Sequence, residues 1–160
     1  MTSILIITSI ENLQSRINYV VKSFKGISGI YVSLNKTQKS AENALNKAGI
    51  NTKNLFFIDC VTSQETKRDD VLHIAPNELN LLSSAIHDFI KDIKGKEFLI
   101  IDSLATLLIY NEENKVAKFV KKITEFASQH DTEVIAFSPK TKGEELLNKI
   151  FNFFDKVEEK

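Results

Sequence analysis

Short apolar runs alternate with amphipathic stretches along the whole chain. Five runs of five or six residues are rich in Ile, Val, Leu and Phe, and we interpret them as β-strands. They cover residues 4–8, 29–34, 55–60, 98–102 and 133–138. Four of the runs are almost continuously apolar, which is typical of strands whose two faces are both covered by helices.

Between these runs, apolar residues recur at every third or fourth position, which predicts amphipathic helices. Three of the helices have a candidate N-cap, in Thr37, Asn77 and Asn111, because a short polar side chain there can accept a bond from a free backbone N–H. A last helix over about residues 143–153 is predicted to lead into a short sixth strand at residues 154–158.

Strands that alternate with helices predict an α/β fold in which a mostly parallel sheet of about six strands lies between two layers of helices. The chain has 160 residues, which is the usual length of one domain, so we expect a single domain over residues 1–160. The only long polar connection, over residues 61–76, is predicted to be a solvated loop.

The charge balance argues against two classes of partner. The chain carries 21 basic and 21 acidic residues, so its formal net charge is zero. Proteins that bind nucleic acids or membrane surfaces through phosphate contacts usually carry an excess of positive charge, so we expect neither partner.

Cys60 is the only cysteine, which excludes an intramolecular disulfide and fits a reducing compartment. With no signal-peptide pattern and no apolar run of membrane-spanning length, we expect a cytoplasmic protein.

Three groups of residues resemble the KaiC-like members of the RecA superfamily of ATPases. The first is Gly-Ile-Tyr-Val-Ser-Leu-Asn-Lys-Thr at 29–37, followed by Phe-Phe-Ile-Asp-Cys at 56–60. The second, Phe-Leu-Ile-Ile-Asp-Ser-Leu at 98–104, is similar to their Walker B strand, in which an Asp follows four apolar residues. The third, Phe-Asp-Lys-Val at 154–157, resembles the strand that follows the last core helix. The resemblance covers about residues 3–158 and implies the strand order 3-2-4-5-1-6, counting the predicted strands along the chain.

In that family the first strand runs into a glycine-rich phosphate-binding loop, the P-loop, with the pattern GxxxxGK[ST]. This chain has no glycine before Gly26. By position, Glu11 and Leu13 stand where the family has glycine, Gln14 stands where it has lysine, and Ser15 alone keeps a hydroxyl. We therefore expect no P-loop, with Gln14 and Ser15 as vestiges of a nucleotide-binding site.

The resemblance also implies a catalytic carboxylate just after the second strand, where it activates the attacking water. Asn35 and Lys36 occupy that place, and neither accepts a proton from water at neutral pH. We predict a non-catalytic pseudo-ATPase, similar to degenerate KaiC-like proteins of archaea, with no catalytic residue, no metal and no cofactor. Its predicted role is a regulatory or scaffolding module that binds a protein partner or a second copy of itself.

Asp102 and Ser103 are the residues of the Walker B pattern that remain, and two interpretations are open. In the first, Asp102 contacts Mg²⁺ or a polar ligand at the carboxyl edge of the sheet, where doubly wound folds bind ligands. This belongs to an alternative function, ATP and Mg²⁺ binding without hydrolysis, at Gln14, Ser15, Asp102 and Ser103. In the second, which we favour, Asp102 caps the following turn or bonds to Ser103 and Thr106.

Asp59 ends the third predicted strand, which the implied order places at the sheet edge, with one strand between Asp59 and Asp102. We expect it to cap a loop. A further alternative is a response-regulator receiver, in which an Asp at this point accepts a phosphoryl group, here assisted by Ser103 or Thr106 and by Lys140. Receivers also need a pair of acidic residues after the first strand, which this chain lacks, and their strand order is 2-1-3-4-5.

The histidines and the cysteine do not predict a site of their own. His73, His87 and His130 have no spacing typical of metal ligands. Cys60 follows an apolar strand without a nearby histidine in sequence, so we expect a buried and unreactive thiol.

Two surface interpretations concern the fourth helix and the phenylalanines. The lysines of that helix alternate with glutamates, which is typical of a solvated face; they are Lys115, Lys118, Lys121 and Lys122. The phenylalanines of the third strand and of the C-terminal segment are either core residues or a surface for a partner; they are Phe56, Phe57, Phe151, Phe153 and Phe154.

Overall fold

The structure, a computed structural model, describes residues 2–63, 68–140 and 144–159. Its centre is a sheet of seven strands in which every pairing is parallel. The strands are β1 (Ser3–Thr8), β2 (Ser28–Ser33), β3 (Leu55–Asp59), β4 (Val71–His73), β5 (Glu97–Ile101), β6 (Thr132–Pro139) and β7 (Lys156–Glu159). The helices are α1 (Ile10–Ser23), α2 (Gln38–Lys47), α3 (Leu79–Asp92), α4 (Glu113–Ser128) and α5 (Glu144–Ile150), with short 3-10 helices at Leu104–Ile109 and Phe151–Phe153.

The strands lie in the order β4-β3-β2-β5-β6-β1-β7. Apart from β4, this is the order that the resemblance implies, and the predicted three-layer α/β fold is confirmed. The receiver alternative is wrong about the fold, because a receiver has its first strand between the second and the third. Here β1 lies between β6 and β7, on the other side of the sheet.

Strand β4 lies in the connection that we predicted to be a loop. It pairs with β3, with Phe57 opposite Val71, so β3 is not the edge of the sheet and that prediction is wrong. Phe57 is buried and Phe56 packs against Phe89 and the apolar core, which makes both core residues rather than a partner surface. The sequence pattern missed β4 because three residues are too few to show an alternation.

The helix starts agree with one predicted N-cap out of three. Thr37 caps α2, since its hydroxyl accepts a bond of 3.2 Å from the backbone N–H of Ser40. The N-caps of α3 and α4 are Glu78 and Glu112, each one residue after the predicted Asn77 and Asn111. The predicted first residue of the last helix lies outside the described residues.

Helices cover both faces of the sheet and form two apolar cores. Helices α3, α4 and α5 pack on one face and helices α1 and α2 on the other. Phe154 is buried in the core under α3, α4 and α5, and Phe151 and Phe153 pack against that core. Each Leu, Ile or Phe side chain buried in this way stabilises the fold by about 1.5–3 kcal/mol. Among the helices of the described ranges, none is long and apolar enough to cross a membrane.

One glycine in the centre of the sheet is required by a neighbouring ring. The Phe98 side chain on β5 lies directly over Gly29 on β2, and a Cβ atom at residue 29 would overlap the end of that ring. Phe98 cannot swing away easily, because it is buried and stacks on Phe24 with ring centroids 4.4 Å apart.

We expect Gly29→Ala to lower the free energy of unfolding by about 1–3 kcal/mol, as other cases of overpacking do. Urea denaturation measures the change, with Ser28→Ala on the same strand as the matched control. Phe98→Leu removes the ring atoms that overlap the new Cβ. Gly29→Ala should therefore lower the free energy of unfolding less in a Phe98→Leu background than in the native chain. Equal stability of Gly29→Ala and the native chain would show that the ring does not need the glycine.

Candidate functional site

The candidate site lies at the carboxyl edge of the sheet, where β1, β2 and β5 end. Doubly wound α/β folds bind their ligands at this edge. The segments that follow these strands hold the four residues predicted as a vestigial nucleotide site. They also hold Asn35 and Lys36, the residues that replace the carboxylate implied by the resemblance.

The connection between β1 and α1 is a single residue. Strand β1 ends at Thr8 and α1 begins at Ile10, so Ser9 alone links them, and its side chain makes no capping bond. A P-loop needs several residues in a turn whose N–H groups point at the phosphates. The backbone here passes from strand to helix through Ser9 alone.

Gln14 and Ser15 lie inside α1 and bond to their own surroundings. The Ser15 hydroxyl donates to the carbonyl of Asn12 at 2.9 Å. The Gln14 amide nitrogen donates to Asn18 at 2.8 Å, and its amide oxygen accepts a bond of 2.9 Å from the ammonium of Lys36. Of the two residues that we predicted to be vestiges of a nucleotide site, Gln14 bonds to the segment that follows β2 and Ser15 bonds within α1.

Asp102 makes the central contacts of the site. Its Oδ1 accepts hydrogen bonds from the backbone N–H groups of Leu34, at 2.7 Å, and Asn35, at 3.0 Å. The Tyr31 hydroxyl lies 3.5 Å from Oδ2 and donates to it. With an exposed fraction of 1%, the carboxyl group has no open face, and its partners all belong to β2 and the segment after it.

Burial dominates the electrostatics of this group. It raises the pKa of Asp102 to about 7, even though the two backbone N–H groups, the Tyr31 hydroxyl and the charge of Lys36 all favour the carboxylate. Burial, reinforced by the negative charge of Asp102, raises the pKa of Tyr31 well above its ordinary value. Asp102 therefore titrates near neutral pH, and Tyr31 stays a hydrogen-bond donor.

Ser103 does not take part in these contacts. Its hydroxyl accepts a bond of 3.0 Å from the hydroxyl of Thr106, within the 3-10 helix that follows β5. The interpretation that Asp102 bonds to Ser103 and Thr106 is therefore wrong. Asp102 bonds to Tyr31 of β2 and to the backbone just after β2 instead, because β2 lies beside β5 in the sheet.

Asp59 lies apart from Asp102, with β2 between their strands as predicted. Its Oδ2 accepts from the N–H of Gln38 at 2.9 Å, and its Oδ1 accepts from the N–H groups of Val61 at 2.8 Å and Thr62 at 3.0 Å. The prediction that Asp59 caps a loop is confirmed. An exposed fraction of 1% leaves this carboxylate no surface to accept a phosphoryl group, which is a second departure from a receiver.

His73 lies next to Asp59, and no feature of the sequence pattern predicts this contact. The ring Nδ1 of His73 lies 2.8 Å from the carbonyl oxygen of Thr62 and 3.9 Å from Asp59. Cys60 is buried beside them, as predicted, and burial together with the charges of Asp102 and Asp59 raises its pKa to about 12, which disfavours the thiolate form. Within the described ranges, no three His, Cys, Asp or Glu side chains are placed to hold a metal ion.

A family model matches residues 17–160 of this chain; it describes a family of unknown function, DUF7090. The chain belongs to this family. The match includes Asp59, Asp102 and Ser103 but begins after Gln14 and Ser15. A comparison with curated proteins found no match.

Solved structures from Pyrococcus horikoshii are similar in fold to this family member. A KaiC-like protein, PH0186, has a TM-score of 0.68 at 14% identity, over 98% of this chain and 69% of that one. The uncharacterized protein PH0321, in complex with an unknown peptide, has a TM-score of 0.73 at 13% identity, over 98% and 76%. A third, PH0250, has a TM-score of 0.66 at 12% identity, over 99% and 81%. The chain therefore has a KaiC-like, RecA-type fold.

We expect Asp102→Asn to change how stability depends on pH. A folded-state pKa of about 7 lies above the ordinary value of about 4, so between these values the folded protein holds a proton that the unfolded chain has lost. The free energy of unfolding contributed by Asp102 is thus highest below about pH 4 and falls as pH rises towards 7, by at most about 1.4 kcal/mol per pH unit. Denaturant melts from pH 4 to 8 measure it.

The control for this experiment is Glu97→Gln, because burial raises the pKa of Glu97 to about 7 as well. In the native chain, both Asp102 and Glu97 contribute to the pH dependence of the free energy of unfolding. Asp102→Asn keeps only the contribution of Glu97, and Glu97→Gln keeps only that of Asp102. A pH profile of Asp102→Asn parallel to that of the native chain would show that Asp102 is not buried as described.

Proposed function

We propose that this chain is a RecA-like domain without ATPase activity, and that it acts as a regulatory or scaffolding protein-interaction module. The observation that supports the lack of ATPase activity is the single-residue connection, Ser9, between β1 and α1. Phosphate binding in this superfamily depends on a loop of several residues between those elements. Without that loop, the N–H groups that would surround the phosphates are missing.

Two further observations support the loss of activity. The carboxyl group of Asp102 is enclosed by N–H and O–H donors of the chain itself, which leaves no face for a bound cation. Lys36 stands where the resemblance implies a catalytic carboxylate, and its ammonium bonds to Gln14. A cation cannot serve as the general base that would activate water.

The interaction half of the proposal is supported by a similar structure. PH0321, which shares the fold at a TM-score of 0.73, was solved in complex with an unknown peptide. A RecA-like fold of this kind is thus compatible with a polypeptide ligand, and we extend that ligand class to this chain. The partner is a different protein or a second copy.

Binding of a nucleotide without hydrolysis is the second candidate, and one observation favours it. The hydroxyls of Thr8 and Ser138, at the carboxyl ends of the neighbouring strands β1 and β6, are buried and have no hydrogen-bond partner among the described residues. Unsatisfied hydroxyls at a ligand-binding edge are available to bond to a ligand.

Phosphate release with ATP and Mg²⁺ tests the main proposal. We expect no release above the buffer blank from the native chain or from Asp102→Asn, because neither has a phosphate loop or a general base. A KaiC-like ATPase measured in the same assay shows that the assay works. Turnover in the native chain that Asp102→Asn abolishes would contradict the proposal.

Titration calorimetry with ATP and Mg²⁺ separates the two candidates. The main proposal predicts a dissociation constant weaker than about 1 mM. The second candidate predicts tighter binding that is weakened in Thr8→Val and in Ser138→Ala, which remove the two hydroxyls with little change of shape. Tight binding that neither substitution changes would reject both this role for the hydroxyls and the main proposal.

A further inference from the structure

Helices α3 and α4 border a surface groove of about 500 Å³ on the side of the molecule away from α1 and α2. The two helices begin at the same end of this groove. The Asn111 side chain holds those ends together, because its amide nitrogen donates to the carbonyl of Pro76 at 2.9 Å and to that of Leu107 at 3.0 Å. We predicted Asn111 as the N-cap of α4, but its side chain makes these two bonds instead and the N-cap is Glu112.

Three lysines line the α4 side of the groove, and they are Lys115, Lys118 and Lys122. None of them makes an ion pair with a carboxylate in the described part of the chain. Glu78 is the acidic residue that lines the groove, so lysines outnumber carboxylates there. The three lysines are exposed, as the prediction of a solvated face requires, but the helix period does not reveal that α3 runs beside them. Lys121 points to another part of the surface.

The α3 side of the groove contains an unused hydrogen-bonding group. Ser83 is 2% exposed, and its hydroxyl has no partner among the described residues although it is buried. A buried serine in a helix normally bonds to a carbonyl of the preceding turn. In addition, Glu78 at the N-cap of α3 makes no side-chain capping bond, so the free N–H groups at the start of this helix remain available.

The positive charge of the groove also acts on a neighbouring histidine. The pKa of His87 on α3 is lowered, by burial first and then by the charges of Lys122 and Lys91. Asp88 opposes these effects, and His130 adds to them. The ring of His87 packs against Phe126 of α4, with centroids 3.8 Å apart.

Apolar groups accompany the charges. Leu79 and Phe119 line the groove itself. Three large apolar side chains are exposed in the segments that border it: Leu81 on α3, with 52% exposed, and Ile109 and Tyr110 just before Asn111, with 74% and 54% exposed. Exposed aromatic and aliphatic side chains around a charged groove are typical of a protein-binding surface.

We infer that the groove between α3 and α4 binds an acidic segment of a partner protein, a short peptide in which Asp or Glu residues alternate with apolar ones. The inference rests on the proposed interaction function and names the partner's chemistry. The first and last of these lysines are seven residues apart on α4, about 10 Å at 1.5 Å per residue, which suits several carboxylates along a chain better than one phosphate group. The apolar wall suits the leucine or phenylalanine side chains between them.

The probe for this inference is a fluorescein-labelled synthetic peptide of about ten residues in which Glu and Asp alternate with Leu and Phe. We expect it to shift the amide signals of residues 77–83 and 111–122 in ¹⁵N-labelled full-length protein and to bind more weakly as salt is raised. Lys115→Glu/Lys118→Glu/Lys122→Glu should weaken binding by at least about tenfold, since it reverses each charge.

The matched control is Lys47→Glu/Lys94→Glu/Lys96→Glu, which reverses three exposed lysines outside the groove and should change affinity by less than about twofold. Ser83→Ala tests the buried hydroxyl and should weaken peptide binding with no loss of thermal stability. Equal affinities of the two triple variants, or amide shifts confined to other surfaces, would overturn the inference. So would binding of a peptide with Gln in place of Glu and Asp at the same strength.

Inorganic phosphate and ATP form the second arm of the experiment. If either ligand shifts the same amides at concentrations where the peptide does not, the groove is a phosphate site and the inference is wrong. The outcome stays separate from that of the proposed function. If the protein releases phosphate from ATP and the groove binds the peptide, only the proposed loss of ATPase activity is overturned. If the protein neither releases phosphate nor binds the peptide, only the inference about the groove is overturned.

Discussion

The buried contact between Asp102 and the backbone of Leu34 and Asn35 determines what the carboxyl edge of this sheet can do. It joins β5 to the segment after β2 and so fixes the position from which Lys36 reaches Gln14 on α1. In a nucleotide-binding fold, groups at this edge face a ligand. In this chain Asp102 bonds to the segment after β2, and Lys36 of that segment bonds to Gln14 on α1.

The strands and the order of the sheet could be predicted, because strands covered on both faces are continuous apolar runs and the resemblance supplies their order. The partners of Asp102 could not, since 68 and 67 residues separate it from Leu34 and Asn35 and only the finished sheet brings them together. A local explanation, a bond to Ser103 and Thr106, was the natural prediction and was wrong. Strand β4 could not be predicted for a different reason, because its three residues are too few to show an alternation of apolar and polar positions.

Helix α4 shows a second limit of prediction from periodicity. The 3.6-residue period correctly separates its buried face, with Val116, Phe119 and Val120, from its lysine face. It does not show that α3 lies beside part of the lysine face, which turns three solvated charges into the wall of a groove. The groove lies on α3 and α4, away from the connection between β1 and α1, so a partner bound there would not depend on the carboxyl edge of the sheet.

The central claim is that the chain's own residues occupy the hydrogen-bonding groups of Asp102 at the carboxyl edge of the sheet. The backbone amide signals of Leu34 and Asn35, followed by NMR while ATP and Mg²⁺ are added together, test it most directly. The account predicts that both signals keep their positions at millimolar concentrations of ligand, because their N–H groups stay bonded to Asp102. Saturable shifts of both signals would show that ligand displaces these bonds and would contradict the account.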